Sequence, residues 1–311
     1  MKQILFTDSF EHGFAAGVPQ EGKPWSYMSM GPIAMSSDEY EIRTANGLEV
    51  IPRGRHPHTG EPAFTVTAPQ QLGQVDHIKW AALANVGTHG FEAVKGKKIS
   101  FEALIGGRTY GNASHPFGDA VKAPESDLRL GDSVLLVMAP EHMIVFDFFI
   151  TNTKIYAIYE RGRAMHEGEP YEAYSFGVPV ADRQPDDMHL LRITYDPDTN
   201  SVAWFVDDRE VYRAEHVGLL IDREHMYIDN GGTAKEVTCR MFQSGLALFT
   251  LLDGSHDGKG LVNLTGSDIY FDPQQGEPAR PVFVDPDSRP ENRLFGQGAS
   301  LCCHRFSVFY E

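Results

Sequence analysis

The stretch His189–Arg213, HLLRITYDPDTNSVAWFVDDREVYR, limits what this chain can fold into more than any other segment. Leu190 to Tyr195 and Val202 to Val206 are rich in β-branched and aromatic residues, the composition of strands. Asp196-Pro197-Asp198-Thr199-Asn200 between them is a cluster of turn formers. Asp207-Asp208-Arg209 interrupts the pattern a second time before Glu210-Val211-Tyr212 resumes it. The segment therefore predicts three short antiparallel strands joined by two reversals.

Runs of the same kind recur along the 311 residues. They include Ile4–Thr7, Gly47–Ile51, Ile78–Ala84, Lys98–Ile105, Ser133–Met138, Met143–Thr151, Lys154–Glu160, Tyr171–Val178, Val237–Leu252 and Leu301–Tyr310, each bounded by loop formers. No window of helical length sustains the three-and-four spacing of apolar residues that a helix needs, so helices should be few and short. The chain reads as all-β. Val145-Phe146-Asp147-Phe148-Phe149-Ile150 is apolar on both faces, which suits a strand in a stacked pair of sheets, and a two-sheet sandwich follows. With no fixed-period repeat and no Gly/Ser linker, residues 1–311 are expected to form a single domain.

Forty-three acidic residues against 27 basic give a net charge of −16, which argues against nucleic acid and anionic membranes as partners. Three cysteines, two of them adjacent at Cys302 and Cys303, do not make a disulfide framework. The N-terminus, MKQILFTDSFEHGF, meets acidic residues and glycine too soon for a secretory apolar region, and no run has bilayer-spanning length. A cytoplasmic location is the expectation.

Several partial motifs fail on chemistry. Asp196-x-Asp198-x-Asn200 imitates a calcium loop, but Pro197 and Ser201 stand at the wrong places and strands flank it. His56-Pro57-His58 sits among Arg53 and Arg55 in loop-like sequence. Gly131-Asp132-Ser133-Val134 suggests an esterase turn only in an alternating strand and helix context, which is absent here. No phosphate-cradling glycine loop or dinucleotide fingerprint occurs. No metal and no cofactor are expected.

His189–Tyr195 followed by Val202-Ala203-Trp204-Phe205-Val206-Asp207-Asp208 resembles a segment of the concanavalin A-like lectin/glucanase superfamily, the laminarinase-type jelly rolls. Phe6-Thr7-Asp8-Ser9-Phe10 with Trp25 is similar to their first strand, Met226–Gly232 to the strand and turn after the hairpin, and Arg305–Tyr310 to their last strand. Val145–Phe148 with Tyr156–Arg161, and Arg293–Gly298, resemble a bacterial family within that superfamily, for which the likeness implies no reaction. The resemblance implies an antiparallel jelly-roll sandwich with a ligand face on its concave sheet. Laminarinase-type enzymes carry Glu-x-Asp-x-x-Glu on one strand of that face. The matching strand here keeps Asp147 but has Val145 and Ile150 near the glutamate places, which disfavours ordinary retaining hydrolysis.

Asp147 is the leading catalytic candidate, because a carboxyl among apolar residues is pushed toward a protonation equilibrium useful for acid/base work. Its neighbours should come from Tyr156-Ala157-Ile158-Tyr159-Glu160-Arg161, where alternation puts Tyr156 and Glu160 on one face and Tyr159 and Arg161 on the other. Which set joins Asp147 depends on strand register. His115, in the loop Arg108–Gly118, is a further proton carrier candidate, and Arg108, Tyr110, Trp80 and Arg161 are candidate ligand contacts.

Two functions fit these observations. One is an enzyme using acid/base chemistry on the concave face, with a small-molecule or glycan-derived ligand. The other is a non-catalytic, lectin-like carbohydrate-binding module that presents aromatic platforms such as Trp25, Trp80 and the Tyr171–Tyr174 segment.

Overall fold

The computed structural model describes residues 2–17, 22–30, 33–34, 40–56, 59–64, 78–85, 90–115, 119, 121–162, 173–229, 231–254, 261–263 and 296–311. His77, Tyr171 and Arg293–Phe295 lie outside these residues. Two large sheets pack face to face. From edge to edge the first runs Arg209–Ala214, Ser201–Val206, His189–Asp196, Ile99–Tyr110, Gly298–Tyr310, Leu48–Pro52 and Tyr40–Arg43, and Gln3–Asp8 also pairs with Gly298–Tyr310. The second runs Met226–Asp229, Tyr174–Asp182, Lys154–Arg161, Ile144–Ile150, Gly131–Ala139, Met241–Thr250, Ile78–Ala84, Trp25–Tyr27 and Ala16–Gly17, with Phe91–Glu92 beside Met241–Thr250. Among the described strands, pairing is antiparallel except between Ala16–Gly17 and Trp25–Tyr27. Helical structure among the described residues consists of single 3-10 turns, such as Asn112–Ser114 and Pro140–His142. This is the two-sheet jelly-roll sandwich that the strand pattern predicts.

The His189–Arg213 segment forms the three strands expected of it. Its first reversal is held by Asp196, whose Oδ1 accepts the Asp198 and Thr199 N–H groups at 3.0 and 3.4 Å. The second is tighter: Asp207 and Asp208 both take positive φ, 51° and 64°, the left-handed pair that matches the twist of a two-residue hairpin. Asp207 then bonds back to the first strand, accepting Leu190 N–H at 2.9 Å and meeting His189 Nδ1 at 2.9 Å. These aspartates are turn residues.

Alternation divides each strand between the inter-sheet core and an outer face. Phe146, Phe148, Tyr159, Phe176, Leu135, Val137 and Leu246 of the second sheet meet Trp204, Tyr195, Ile193, Phe101 and Val308 of the first. The second sheet also buries its outer face, in a separate cluster of Val134, Leu136, Phe149, Ile158, Ala247, Phe249 and Tyr227. A sheet apolar on both sides explains why Ile144–Ile150 lacks polar alternation except at Asp147. The N-terminal strand is fixed from its end, where Asp8 accepts Trp25 Nε1 at 2.7 Å and Phe10 N–H at 2.7 Å.

Candidate functional site

Asp147 lies on the outer face of the second sheet, 2% exposed. Register places it opposite Ile158, with Val145 opposite Glu160, so Tyr156, Ile158 and Glu160 share its face. Glu160 is thus the diagonal neighbour of Asp147 on the adjacent strand, a relation that spans about 7–8 Å between backbones and less between side chains. On its other side the ladder to Gly131–Ala139 pairs Leu135 with Phe148 and Met138 with Val145 but is open between them. Asp147 fills that opening with its own groups. Its Oδ1 accepts Val137 N–H at 2.8 Å, and its carbonyl accepts Trp204 Nε1 at 3.0 Å from the opposite sheet.

Burial pushes the Asp147 carboxyl well above the usual range, with the Glu160 charge adding to the rise and the Val137 N–H opposing it. Glu160, half-buried, is also raised by burial and held back by Ser175, whose hydroxyl donates to Oε2 at 2.6 Å. Tyr156, the third polar residue of the set, donates its hydroxyl to the Ser126 carbonyl at 2.6 Å. Two carboxyls, both raised by burial, are thus set diagonally on one face.

Residues 7–311 match a family model described as "Family of unknown function (DUF6081)". The chain belongs to that family. It is also similar to an uncharacterized protein of Acanthamoeba polyphaga mimivirus, 25% identical over 248 residues, covering 61% of this chain and 56% of that protein. The chain therefore spans little more than half the length of that curated relative. Among solved structures, it is similar to the catalytic domain of an endo-1,3-beta-glucanase (laminarinase) from Thermotoga petrophila RKU-1, at 11% identity and TM-score 0.44, covering 99% of this chain and 98% of that one. It is also similar to the endo-1,3-beta-glucanase of Streptomyces sioyaensis, at 10% identity and TM-score 0.46, covering 99% and 96%.

In this family member the other sequence candidates are dispersed. Tyr159 and Arg161 point to the core side, away from Asp147, as the alternation of their strand requires. The Tyr159 hydroxyl donates to the Leu219 carbonyl at 2.9 Å and accepts Gly218 N–H at 2.7 Å, and burial pushes it up to about 12. Arg161 donates to the Gly218 and Lys235 carbonyls at 3.2 and 2.7 Å. Both brace the backbone from inside, Tyr159 at Gly218 and Leu219 and Arg161 at Gly218 and Lys235. Trp80, expected as a ligand platform, is instead fully buried, packed against Phe14 and Tyr27; its strand turns that side chain between the sheets.

Arg108 and Tyr110 lie on the first sheet, with the core between them and Asp147. There Arg108 sits over the Tyr110 ring at 5.9 Å and Tyr110 bonds Ser300 at 3.0 Å. His115 closes the 3-10 turn Asn112–Ser114 after that strand. Among the described residues no group of three or more His, Cys, Asp or Glu could hold a metal ion.

Asp132 figures in the sequence only as part of the esterase-like Gly131-Asp132-Ser133-Val134, not as a candidate in its own right. It lies on the outer face with Val134 and Leu136, wholly buried, and neither carboxyl oxygen has a hydrogen-bond partner among the described residues. Burial first, and then the Asp127 charge, pushes its carboxyl well above the usual range. The signal was available: an acid at alternate spacing with apolar residues, as for Asp147.

Proposed function

We propose that this chain is a carbohydrate-directed jelly-roll protein that performs acid/base chemistry with the pair Asp147 and Glu160. The observation that carries the reading is their diagonal placement on one face of adjacent strands, with both carboxyls raised by burial. Asp147, the more strongly raised, is the proton donor, and Glu160 is the base. The strand has Val145 and Ile150 near the places of the laminarinase-type glutamates, which supports a route other than direct attack by a carboxylate. The reading is thus water activation on a glycan-derived or other hydroxylated substrate, not the standard retaining route. That the strand lacks the glutamates of that route, that residues 1–311 are a single jelly-roll domain, and that the protein works in the cytoplasm belong to the same proposal.

Oligosaccharide turnover by Asp147→Asn and Glu160→Gln tests it. Both substitutions should abolish turnover while leaving oligosaccharide binding intact. Turnover at the wild-type level in either variant, or none in the wild-type protein, would sink the catalytic role. A second reading, a non-catalytic carbohydrate-binding protein, is favoured by one observation: Val137 and Trp204 engage both the carboxyl and the carbonyl of Asp147, as a structural pin would require. Oligosaccharide binding without turnover would select it.

A further inference from the structure

We infer that Asp132 is a proton-linked lock in the second sheet: the outer apolar cluster closes around its uncharged carboxylic acid and is weakened when that acid ionises. The lock does not depend on the acid/base reading of Asp147 and Glu160.

Asp132, Asp147 and Glu160 all lie on the outer face of the second sheet, and they differ in what meets their oxygens. Asp147 Oδ1 accepts Val137 N–H at 2.8 Å, and Glu160 Oε2 accepts the Ser175 hydroxyl at 2.6 Å, bonds that favour the charged form. Asp132 is wholly buried, and neither of its oxygens has a hydrogen-bond partner among the described residues. A carboxylate so placed would give up its hydration with no bond to offset the loss. The neutral acid gives up far less, because burying a charge costs much more than burying an uncharged polar group.

The elements packed around Asp132 favour the neutral form as well. Met241–Thr250 sets Phe249 opposite it, Ile144–Ile150 contributes Phe149 on the diagonal, and Val134 follows on its own strand. The titratable groups near it among the described residues are Asp127 and Arg129, from the stretch Ser126–Leu130, and Tyr156, from Lys154–Arg161. Arg129 is engaged by Asp127, donating from Nε to Oδ1 at 2.9 Å and from the terminal nitrogen Nη2 to Oδ2 at 2.7 Å. Tyr156 donates its hydroxyl to the Ser126 carbonyl at 2.6 Å. Burial first, and then the Asp127 charge, therefore opposes ionisation of Asp132.

In the unfolded chain an aspartate titrates near 4, and in the folded chain Asp132 titrates well above that. Its contribution to stability is therefore fully present below the unfolded value and is lost as pH rises through the folded value. The lock is tightest in acid. With a net charge of −16 the whole chain also sheds self-repulsion in acid, so the lock is read from the difference between two proteins that share this background.

The experiment compares urea unfolding of the full chain and of Asp132→Asn, which keeps the shape and cannot ionise, at intervals from pH 5 to pH 8. The unfolding constant of the wild type divided by that of the variant should climb with pH, by up to about tenfold per unit for one linked proton. A ratio that stays within about twofold across the window, or that falls, would overturn the inference. Carbon-13 shifts of labelled aspartate carboxyls give a second readout on the wild-type chain, with the Asp132 signal identified by its absence from the variant or, failing that, from Asp132→Leu. That carboxyl should still be protonated at pH 6, and a midpoint at the ordinary aspartate value of about 4 would overturn the inference. If Asp132→Asn does not fold, the carboxyl titration decides alone, its signal assigned by triple-resonance correlation to the Asp132 backbone. Neither result bears on turnover by Asp147 and Glu160.

Discussion

The indole N–H of Trp204 donates to the backbone carbonyl of Asp147 at 3.0 Å, across the core and between the two sheets. The bond serves a carbonyl at the point where the strand ladder is open, so the cross-sheet indole replaces a missing strand partner. It also locks the face angle of the one acidic residue on Ile144–Ile150, while Phe146 packs edge-on against the same indole with centroids 5.9 Å apart.

Trp204→Phe keeps much of the apolar volume and removes the donor. The buried Asp147 carbonyl would be left unsatisfied beside a small cavity, so the variant should lose about 2–4 kcal/mol in urea unfolding. A loss under about 0.5 kcal/mol would show that the indole contributes packing alone.

Asp147→Asn separates the charge from the shape, since the amide oxygen can still accept Val137 N–H. The folded-state carboxyl is raised by burial, so its contribution to stability is fully present below the unfolded value near 4 and is lost as pH rises through the folded value. The Tm difference, variant minus wild type, should therefore grow from pH 4 to pH 8. A flat difference across that window would mean that Asp147 titrates as it does in the unfolded chain.

Ser175→Ala removes the hydroxyl that donates to Glu160 Oε2 at 2.6 Å. That bond favours the charged form, so its loss should move the Glu160 titration further upward. Carboxyl carbon chemical shifts followed against pH would read the change. An unmoved or lowered titration would contradict the assignment of Ser175 as the residue that steadies Glu160.

Asp207 combines a left-handed backbone, φ 51°, with bonds to Leu190 N–H and His189. Asp207→Gly keeps the conformation and loses the bonds, whereas Asp207→Ala loses both. The alanine variant should be the less stable by about 1 kcal/mol, with both below wild type in chemical unfolding. Equal stability of the two would show that the turn carries no conformational demand.

Much of this protein is legible in its residues before any folding is considered. The three strands of His189–Arg213 follow from β-branched runs and aspartate turn chemistry, both properties of adjacent residues. The burial of Asp147 follows from its apolar neighbours on one strand. Local sequence also limits the partners of Asp147 to two alternating sets, Tyr156 with Glu160 or Tyr159 with Arg161. Choosing between them took the pairing of Asp147 with Ile158, because a slip of one residue would exchange the sets and nothing within either strand forbids it. The core position of Trp80 and the Trp204 bond to Asp147 were likewise decided by how two sheets stack, a contact between residues 57 apart in the chain in the second case. Periodicity is written along the chain, whereas register and facing are set only when distant strands meet, and the candidate site depends on those two.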